Sequence, residues 1–303
     1  MSEVLVTGGC GFIGANLVRK LSHDGEKVRV LDNLNTGKKE YIAGVSNVTF
    51  LKGDVTRRED ISSALEGCRA VVHLAAQTSV PYSVKDPWTD FQINVGGFLN
   101  LLIACYEKGV KKVVFASSIA TLGDQEMPIN ETKVPRPISP YGAAKLACEG
   151  YASTFSATYG VKTVALRFSN VYGPYSRHTQ SAVHKFIASA INGEPLEIYG
   201  DGEQTRDFIH VDDVSRAIVL ALEKDVHGIF QIGTGTEMSL ARVAGLIRDI
   251  SGGNSTIVLK AARKGDVRRN CSDISKARKL GYEPKISIEK GIAQVYNWYK
   301  TCS

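Results

Sequence analysis

The sequence of 303 residues lacks the long apolar runs of membrane proteins and the paired cysteines of small secreted domains. No stretch approaches the roughly 18 consecutive apolar residues that a membrane-spanning helix needs. Its six cysteines are scattered and form no CxxC pair, which is typical of reduced and mostly buried thiols. The first apolar run begins by residue 4, which leaves no room for a signal peptide. We therefore expect a cytoplasmic protein that does not enter a membrane.

A strong charge of one sign is also missing. Lysine and arginine number 37 against 31 aspartate and glutamate, and the net charge of +6 is spread along the chain. A nucleic-acid-binding protein needs a basic stripe on a recognised module, and the sequence has neither, so no nucleic-acid partner is expected. No histidine has cysteine or acidic neighbours at metal-ligand spacing, so no metal is expected. The densest basic cluster predicts a cation-lined pocket for a small anion and consists of Lys260, Arg263, Lys264, Arg268 and Arg269.

A glycine-rich turn stands between the first apolar run, Val4–Val6, and a segment with helical periodicity. Gly8 would allow the turn, Gly11 the approach of a pyrophosphate, and Gly14 the close packing of the helix. A second strand ends in Asp32, 18 residues beyond Gly14, where a carboxylate can accept hydrogen bonds from ribose hydroxyls. Because Asp32 would repel a 2′-phosphate, the pattern predicts a dinucleotide site for NAD.

Apolar runs and helical patterns alternate through the first half of the chain. This alternation predicts an α/β fold, a doubly wound parallel sheet (Rossmann) with right-handed crossovers. The strands include 70–76 and 112–116, and the helices 88–107 and 141–159. Beyond residue 167 the pattern predicts a smaller, discontinuous C-terminal substrate lobe whose last part, 240–300, is mostly helical. The expected NAD-binding domain is 1–168 plus about 209–235, and the expected nucleotide-sugar-binding lobe is about 169–208 plus 236–303.

A tyrosine and a lysine four residues apart, Tyr141 and Lys145, share one face of a predicted helix. A phenol with a pKa of about 10 is a poor base at neutral pH. The ammonium of Lys145, with an oxidised nicotinamide, would favour the phenolate and lower that pKa. Ser118 directly follows a strand, so its hydroxyl should reach the substrate oxygen that Tyr141 deprotonates. We therefore predict that Ser118, Tyr141 and Lys145 are the catalytic residues.

The motifs, taken together, resemble those of the NAD-dependent epimerase/dehydratase family of extended short-chain dehydrogenases, most closely its UDP-glucose 4-epimerase group. They occur in order over essentially the whole chain: the glycine turn, Asp32, Leu74–Ala76, Asn94, Ser117–Ser118, Tyr141/Lys145, Asn170–Pro174 and Arg206–Asp213. The resemblance implies a UDP-sugar substrate and a homodimer in which helices of about 88–107 and 141–159 form an intersubunit four-helix bundle.

The resemblance also implies binding residues. Those for the cofactor are Gly8, Gly11, Phe12, Ile13, Gly14, Asp32, Asn33, Asn35, Thr36, Gly37, Asp54, Val55, Leu74, Ala75, Ala76, Gln77, Asn94, Ser117, Tyr141, Lys145 and Phe168. Those for the substrate are Ser118, Tyr141, Asn170, Val183, Leu196, Tyr199, Arg206, Arg263, Asp266 and Asn270. Arg206 and Arg263 would clamp the diphosphate, since guanidinium forks suit that geometry. Leu196 and Tyr199 would form the wall of the uracil site.

Two residues after Ser118 decide between reactions of the family. Dehydratases and decarboxylases carry acidic residues there, whereas this chain has Ile119 and Ala120, which carry no proton. The resemblance therefore implies reversible epimerisation at C4 of a UDP-hexose through a 4-keto sugar, with tightly bound NAD that is regenerated in each turnover. Leu122 stands where the family usually has tyrosine, and we expect altered packing near the pocket.

The substrate's acyl group is predicted from one position. Aligned without gaps from Gly265–Asp266 to Asp273, Asn270 falls where some epimerases carry a bulky tyrosine that excludes an N-acetyl group. A smaller side chain should admit it, so UDP-N-acetylglucosamine is expected to be accepted alongside UDP-glucose.

Three other functions stay open. A UDP-glucuronate 4-epimerase is compatible with the basic residues Arg268 and Arg269. A net NAD(P)H-dependent nucleotide-sugar reductase would need added cofactor. A non-catalytic NAD-sensing regulator on the same fold usually lacks the tyrosine–lysine pair, which this chain retains.

Overall fold

The structure, a computed structural model, describes residues 3–179, 181–262 and 267–301. Within these residues the strands are β1 (Glu3–Thr7), β2 (Val28–Asp32), β3 (Val48–Lys52), β4 (Cys68–His73), β5 (Lys112–Ser118), β6 (Lys162–Phe168), β7 (Asn170–Tyr172), β8 (Leu196–Tyr199), β9 (Thr205–Arg206), β10 (Phe208–His210), β11 (Gly228–Ile232), β12 (Met238–Ser239) and β13 (Ile257–Lys260). The α-helices are α1 (Phe12–His23), α2 (Arg58–Ala64), α3 (Val80–Lys85), α4 (Pro87–Phe91), α5 (Gly97–Glu107), α6 (Pro140–Thr158), α7 (Ala182–Ile191), α8 (Val211–Glu223), α9 (Leu240–Ile250), α10 (Ser275–Arg278) and α11 (Ile288–Thr301).

Seven of the strands form one parallel sheet in the order β11-β6-β5-β4-β1-β2-β3. The register pairs Val6 of β1 with Val30 of β2 on one side and with Val72 of β4 on the other. The chain therefore winds outward from β1 in both directions, which confirms the predicted doubly wound Rossmann architecture. In such sheets the strand order reverses next to the first strand and leaves a crevice at the carboxyl ends there.

Both faces of the sheet are covered by helices, so its strands are nearly continuous apolar runs. In β1, Val4 and Val6 pack in the cluster under α1 and α8, while Leu5 between them packs in the cluster under α2, α5 and α6. All three side chains are fully buried. Alternate burial on two helical layers explains why β1 reads as an apolar run without polar alternation.

A third apolar cluster packs α7, α9 and α11 around Phe186, Ile247 and Ile292. In the described parts of 240–300, helix is confined to α9, α10 and α11, with β13 and irregular segments between them, so the prediction of a mostly helical stretch was wrong. Ala277 of α10 and Tyr282 lie in the cluster of the main sheet, although the predicted substrate lobe includes them.

Two further boundaries differ from the predictions. The predicted helix 88–107 contains a single π-helical turn, Gln92–Gly96, between α4 and α5. The predicted strand 70–76 ends at His73, and the residues that follow turn toward the crevice edge without strand pairing. The five cysteines that the structure describes are free. None of the helices in the described ranges is long and apolar enough to span a bilayer.

Candidate active site

The glycine-rich turn after β1 is packed too closely for any side chain. Gly8 has φ +69°, and a Cβ atom there would lie 2.6 Å from the backbone nitrogen of Ala75. A Cβ atom on Gly14 would lie 2.1 Å from the carbonyl oxygen of Gly8. Real Cβ atoms do not come this close, so glycine is required at both positions. The turn thereby keeps β1, α1 and the segment after β4 in contact around one cradle.

Helix α1 starts at this cradle without a side-chain cap. Gly11 is its N-cap residue, Phe12 and Ile13 begin the first turn, and no acidic residue lies in that turn. The first N–H groups of an α-helix have no partner within the helix and carry the positive end of its dipole. This arrangement suits the pyrophosphate of a dinucleotide.

Asp32, at the end of β2, is buried and holds the other side of the cradle. Its Oδ2 accepts from the backbone N–H of Cys10 at 2.9 Å, and its Oδ1 accepts from that of Leu34 at 2.8 Å. Each carboxylate oxygen has more than one lone pair, so both oxygens can still accept a ribose hydroxyl. Next to it, Asn33 donates from Nδ2 to Oδ2 of Asp54 at 2.7 Å and ties the ends of β2 and β3 together.

The loop after β4 is held by a reciprocal pair of hydrogen bonds. The N–H of Gln77 donates to Oδ1 of Asn94 at 3.0 Å, and Nδ2 of Asn94 donates to the carbonyl oxygen of Gln77 at 3.0 Å. Nδ2 of Asn94 also donates to Oδ1 of Asp90 at 3.1 Å. Because both polar atoms of the buried Asn94 have protein partners, this side chain supports the loop that borders the crevice.

The other predicted cofactor residues follow the carboxyl ends of the same strands. A Cβ atom on Gly37 would lie 2.8 Å from the carbonyl carbon of Cys10, so the segment after β2 packs on the glycine turn. The segments concerned are Asn35–Gly37 after β2, Asp54–Val55 after β3, Leu74–Ala76 after β4, and Phe168 at the end of β6.

Ser118, Tyr141 and Lys145 are brought together at the carboxyl edge of the sheet. Ser118 is the last residue of β5, and its side chain is placed to favour ionisation of the Tyr141 phenol. Nζ of Lys145 lies 5.9 Å from the centroid of the Tyr141 ring and donates to the carbonyl oxygen of Ala116 at 2.9 Å. Lys145 is only 4% exposed, so its ammonium acts in a poorly solvated environment.

The start of α6 explains this convergence. Ser139 caps the helix by accepting from the N–H of Gly142 at 3.1 Å, and the N–H of Tyr141 donates to Oγ of Ser83 at 3.2 Å. A Cβ atom on Gly142 would lie 2.4 Å from the carbonyl oxygen of Ala120. The first turn of α6 therefore packs directly on the segment that follows Ser118.

A buried ion pair fastens the middle of α6 to the sheet. Glu149 accepts from Nε and Nη2 of Arg167 at 2.8 and 2.7 Å, and both side chains are 2% exposed. The hydroxyl of Ser117 donates to the same carboxylate at 2.5 Å. Ser117, predicted to contact the cofactor, thus directs its hydroxyl to Glu149, because residues 117 and 118 lie on opposite faces of β5.

Besides the dinucleotide crevice, the structure has a second pocket, of about 250 Å³, which is lined by residues of β7, α7 and β8. Four predicted substrate residues line it, namely Asn170, Val183, Tyr199 and Arg206. Leu196 does not: its side chain is fully buried in the cluster with Phe186, and β8 reaches the pocket through Glu197, Ile198 and Tyr199 instead. Nδ2 of Asn170 is buried without a hydrogen-bond partner among the described residues, which suits a ligand with acceptor oxygens.

The crevice and the pocket agree with comparisons to known proteins. A model of the NAD dependent epimerase/dehydratase family matches residues 4–233. The chain belongs to this family. A UDP-N-acetylglucosamine 4-epimerase from Methanobrevibacter ruminantium, solved with UDP-N-acetylmuramic acid, has a TM-score of 0.95 and 37% identity over 100% of this chain and 99% of that one.

Two further relatives span the same length. A UDP-glucose 4-epimerase from Thermus thermophilus, solved with NAD, has a TM-score of 0.93 and 37% identity over 99% of this chain and 100% of that one. A UDP-glucuronate 4-epimerase from Thermodesulfobacterium geofontis is 34% identical over 99% of this chain and 97% of its own. The cofactor is NAD, as predicted, and the cradle fits it: side chains are excluded at Gly8 and Gly14, and Asp32 presents a carboxylate.

Burial disfavours the Tyr141 phenolate that the sequence analysis predicts. It raises the pKa of Tyr141 to about 12, and the side chain of Ser118 opposes that rise only in part. Burial also lowers the pKa of Lys145. The prediction that Lys145 lowers the pKa of Tyr141 did not allow for this burial, which sequence patterns do not report.

The three described members of the basic cluster are paired with acidic residues on the surface and do not line the pocket. Arg268 pairs with Asp201 at 2.7 Å, Arg269 pairs with Glu237, and Lys260 lies 3.3 Å from Glu197. These pairs are on the surface, where acidic neighbours offset the basic charge. The cluster members Arg263 and Lys264, and the substrate residue Asp266, lie outside the described residues.

Two predictions concern single positions: Asn270 for the acyl group of the sugar, and Leu122 for packing near the pocket. Oδ1 of Asn270 is buried and has no hydrogen-bond partner among the described residues. Leu122 is fully buried in a small cluster with Ile119 and Ile129. The usual family tyrosine is thus replaced by an apolar side chain that packs beneath the segment after β5.

Sequence reasoning missed several residues of this region. Asp90 contacts Asn94, Ser83 contacts the backbone of Tyr141, and Gly142 packs on Ala120; their only sequence signals are the i, i+4 spacing of Asp90 to Asn94 and the glycine after Tyr141. The pocket residues that were missed are Val171, Tyr172, Ser181, Ala182, Lys185, Phe186, Glu197, Ile198, Gln204, Phe208 and Leu240. Among the described residues no group of three or more histidine, cysteine and acidic side chains could hold a metal ion.

Proposed function

We propose that the protein catalyses the reversible C4 epimerisation of a UDP-hexose, with UDP-glucose/UDP-galactose and the N-acetylated pair as substrates. As a class, the enzyme is an NAD-dependent UDP-sugar 4-epimerase. The observation that carries the proposal is the convergence of Ser118, Tyr141 and Lys145 at the same sheet edge as the dinucleotide cradle.

Each catalytic side chain has one task in this proposal. Bound NAD would supply the hydride acceptor for C4 of the sugar and the hydride donor for the opposite face of the 4-keto sugar. Tyr141, as phenolate, takes the proton of the 4-hydroxyl and returns it at the end. Ser118 donates a hydrogen bond to the oxygen that changes charge, and Lys145 stabilises the phenolate from beside the ring.

We assign the second pocket to the nucleotide half of the substrate. Asn170 offers a buried, unused N–H donor, and Arg206 adds a guanidinium to the same lining; both suit a diphosphate. The apolar and aromatic side chains of Ile198, Tyr199 and Phe208 form a wall on which a uracil ring can pack.

We favour a neutral hexose over a uronate as the substrate because two surface arginines are already paired with acidic residues of the protein. Arg268 and Arg269, which favoured a uronate in the sequence, are already paired with Asp201 and Glu237. The similarity to a UDP-glucuronate 4-epimerase keeps uronate epimerisation as the second candidate. The small Asn270 side chain supports acceptance of the N-acetyl group, and the similar Methanobrevibacter protein is named as a UDP-N-acetylglucosamine 4-epimerase.

We further propose a homodimer that forms through α4, α5 and α6. Large apolar side chains are exposed on these helices, with Trp88 66%, Phe91 47% and Tyr106 50% exposed. The rings of Trp88 and Phe91 stack at 5.7 Å, so they form one apolar patch. We also propose that the enzyme works in the cytoplasm, where its free cysteines remain reduced.

A panel of UDP-sugars tests the proposal. The purified protein, without added cofactor, is incubated with UDP-glucose, UDP-N-acetylglucosamine and UDP-glucuronate, and the products are identified by NMR. We expect C4 epimers of the first two sugars. Conversion of the uronate alone would select the second candidate, and a requirement for added NADH with net consumption would identify a reductase. Retained NAD without any turnover would identify an NAD-sensing regulator.

A further inference from the structure

Asp90 is a buried acidic residue that the catalytic scheme above does not use. It lies in α4 and is 1% exposed. Its Oδ1 accepts from Nε2 of Gln77 at 2.8 Å and from Nδ2 of Asn94 at 3.1 Å. Its Oδ2 is buried and has no hydrogen-bond partner among the described residues. A carboxylate is rarely buried without a compensating charge or hydrogen bond, so this oxygen needs an explanation.

A compensating charge is carried by α6, which packs on this segment: Sγ of Cys148, one turn beyond Lys145, donates to the carbonyl oxygen of Asn94 at 3.3 Å. Lys145 of α6 is also buried, and one of the three donors of its ammonium is used by the carbonyl oxygen of Ala116. Asp90 and Lys145 stabilise each other's charged forms, which opposes the effect of burial on both pKa values. The same carboxylate disfavours ionisation of Tyr141.

We propose that Asp90 is a positioning residue that acts as the counter-charge of Lys145 and links the loop at Gln77 to the catalytic helix. The carboxylate keeps the proton on the buried lysine, and its Oδ1 fixes Gln77 and Asn94 beside the cofactor crevice. The inference rests on the proposed function only where turnover is the readout.

Removal of the negative charge of Asp90 should lower the pKa values of both Lys145 and Tyr141. In Asp90→Asn, Lys145 loses its proton at lower pH, because its counter-charge is gone. The phenolate of Tyr141 forms at lower pH, because the repulsion is gone. The other titratable groups that face this pair are Cys148 and Glu149 of α6 and His73 of β4, and the substitution leaves them in place. Both limbs of the kcat profile therefore move to lower pH, by about 1 unit or more.

The test compares the kcat–pH profiles of the wild-type holoenzyme, Asp90→Asn and Asp90→Glu. Asparagine at position 90 keeps an acceptor oxygen for Gln77 and Asn94. If the role of Asp90 is purely structural, the limbs of the kcat–pH profile should therefore not shift in Asp90→Asn. Glutamate retains the charge and should restore the limb positions even if kcat is lower. Asp60→Asn is the matched control, because Asp60 is a half-buried carboxylate that accepts from the N–H of Asp54 in another part of the crevice.

A second readout needs no substrate. The ultraviolet absorbance of the Tyr141 phenolate is titrated in the NAD-bound protein, with Tyr141→Phe as the reference. We expect the ionisation to move to lower pH in Asp90→Asn, whether or not the UDP-sugar panel succeeds. Unshifted limbs and an unshifted absorbance titration would overturn the proposal. If Asp90→Asn does not retain NAD, the same shift is required of Asp90→Ser, and its absence there is equally decisive.

Discussion

Gly142 lies against Ala120 so closely that a Cβ atom on the glycine would be 2.4 Å from the alanine carbonyl oxygen. This contact joins the first turn of α6, which carries Tyr141, to the segment that follows Ser118 in β5. The glycine after Tyr141 is therefore required by the packing between two distant parts of the chain.

The substitution Gly142→Ala should displace Tyr141 from Ser118 and lower kcat/KM by about 100-fold, since small misplacements of a catalytic group are costly. Gly150→Ala in the same helix is the control. No atom lies within 4 Å of its added Cβ, so activity should be unchanged and stability should rise by about 0.5–1 kcal/mol. Wild-type turnover in Gly142→Ala would show that the contact does not position the tyrosine.

Replacement of the proposed base should remove turnover without loss of the cofactor. In Tyr141→Phe we expect kcat to fall by roughly 10²–10⁴-fold, the usual contribution of a general base. Bound NAD, measured by release on denaturation, should stay at the wild-type level. Tyr296→Phe removes a hydroxyl from α11 and should leave kcat unchanged. Substantial activity in Tyr141→Phe would exclude this residue as the base.

A bulky side chain at position 270 should discriminate between acylated and free sugars. In Asn270→Tyr we expect kcat/KM for UDP-N-acetylglucosamine to fall by about 10–200-fold, with UDP-glucose affected little. Asn270→Ser keeps the space and should turn over both sugars. The prediction is wrong if the wild-type enzyme rejects the acetylated sugar, or if both sugars suffer equally in Asn270→Tyr.

A charge on the exposed patch of α4 should prevent dimer formation. Trp88→Glu is expected to sediment as a monomer at concentrations where the wild-type protein is a dimer, because a carboxylate cannot be buried there unpaired. Leu259→Glu in β13 is the control, since that leucine is 58% exposed and lies outside the patch. A wild-type protein that is itself monomeric would contradict the proposed interface.

The buried His73 should make the protein less stable in mild acid. Burial lowers the pKa of His73 to about 3, and its Nδ1 pairs with Oγ1 of Thr7 at 2.8 Å. The unfolded chain takes up a proton near the ordinary pKa of about 6.5 and the folded chain does not, so the free energy of unfolding falls as pH decreases below that value. By about pH 5 this difference amounts to about 2 kcal/mol.

Denaturant titrations at about pH 7.5 and about pH 5 test this dependence. His73→Gln should lose less stability between the two conditions than the wild-type protein, whatever its stability at the higher pH. In His73→Gln the stability should still fall with decreasing pH, though less than in the wild-type protein, because burial also lowers the pKa of His184 to about 4. The exposed control His23→Gln should lose as much stability between the two pH values as the wild-type protein. An equal loss in His73→Gln would contradict the assignment of this pH dependence to His73.

The sequence predicted the dinucleotide fold and the cofactor because those signals are local. The turn from β1 through Gly8 and Gly14 into α1 is encoded within one short segment, and Asp32 follows one strand later. The spacing of Tyr141 and Lys145 on one helix is likewise local. Leu196 shows the limit: the resemblance implied that it forms the uracil-site wall, but only the packing of β8 decided that Ile198 and not Leu196 reaches the pocket.

By itself, the sequence determined the order of strands and helices, the NAD cradle and the family. The tertiary structure alone decided that Arg268 and Arg269 are paired with acidic residues, that Asp90 and Lys145 are buried on two helices that pack together, and that burial raises the pKa of Tyr141. The reason is physical: charge and desolvation depend on which residues, distant along the chain, are packed together, and a pattern of neighbours in sequence carries no record of that packing.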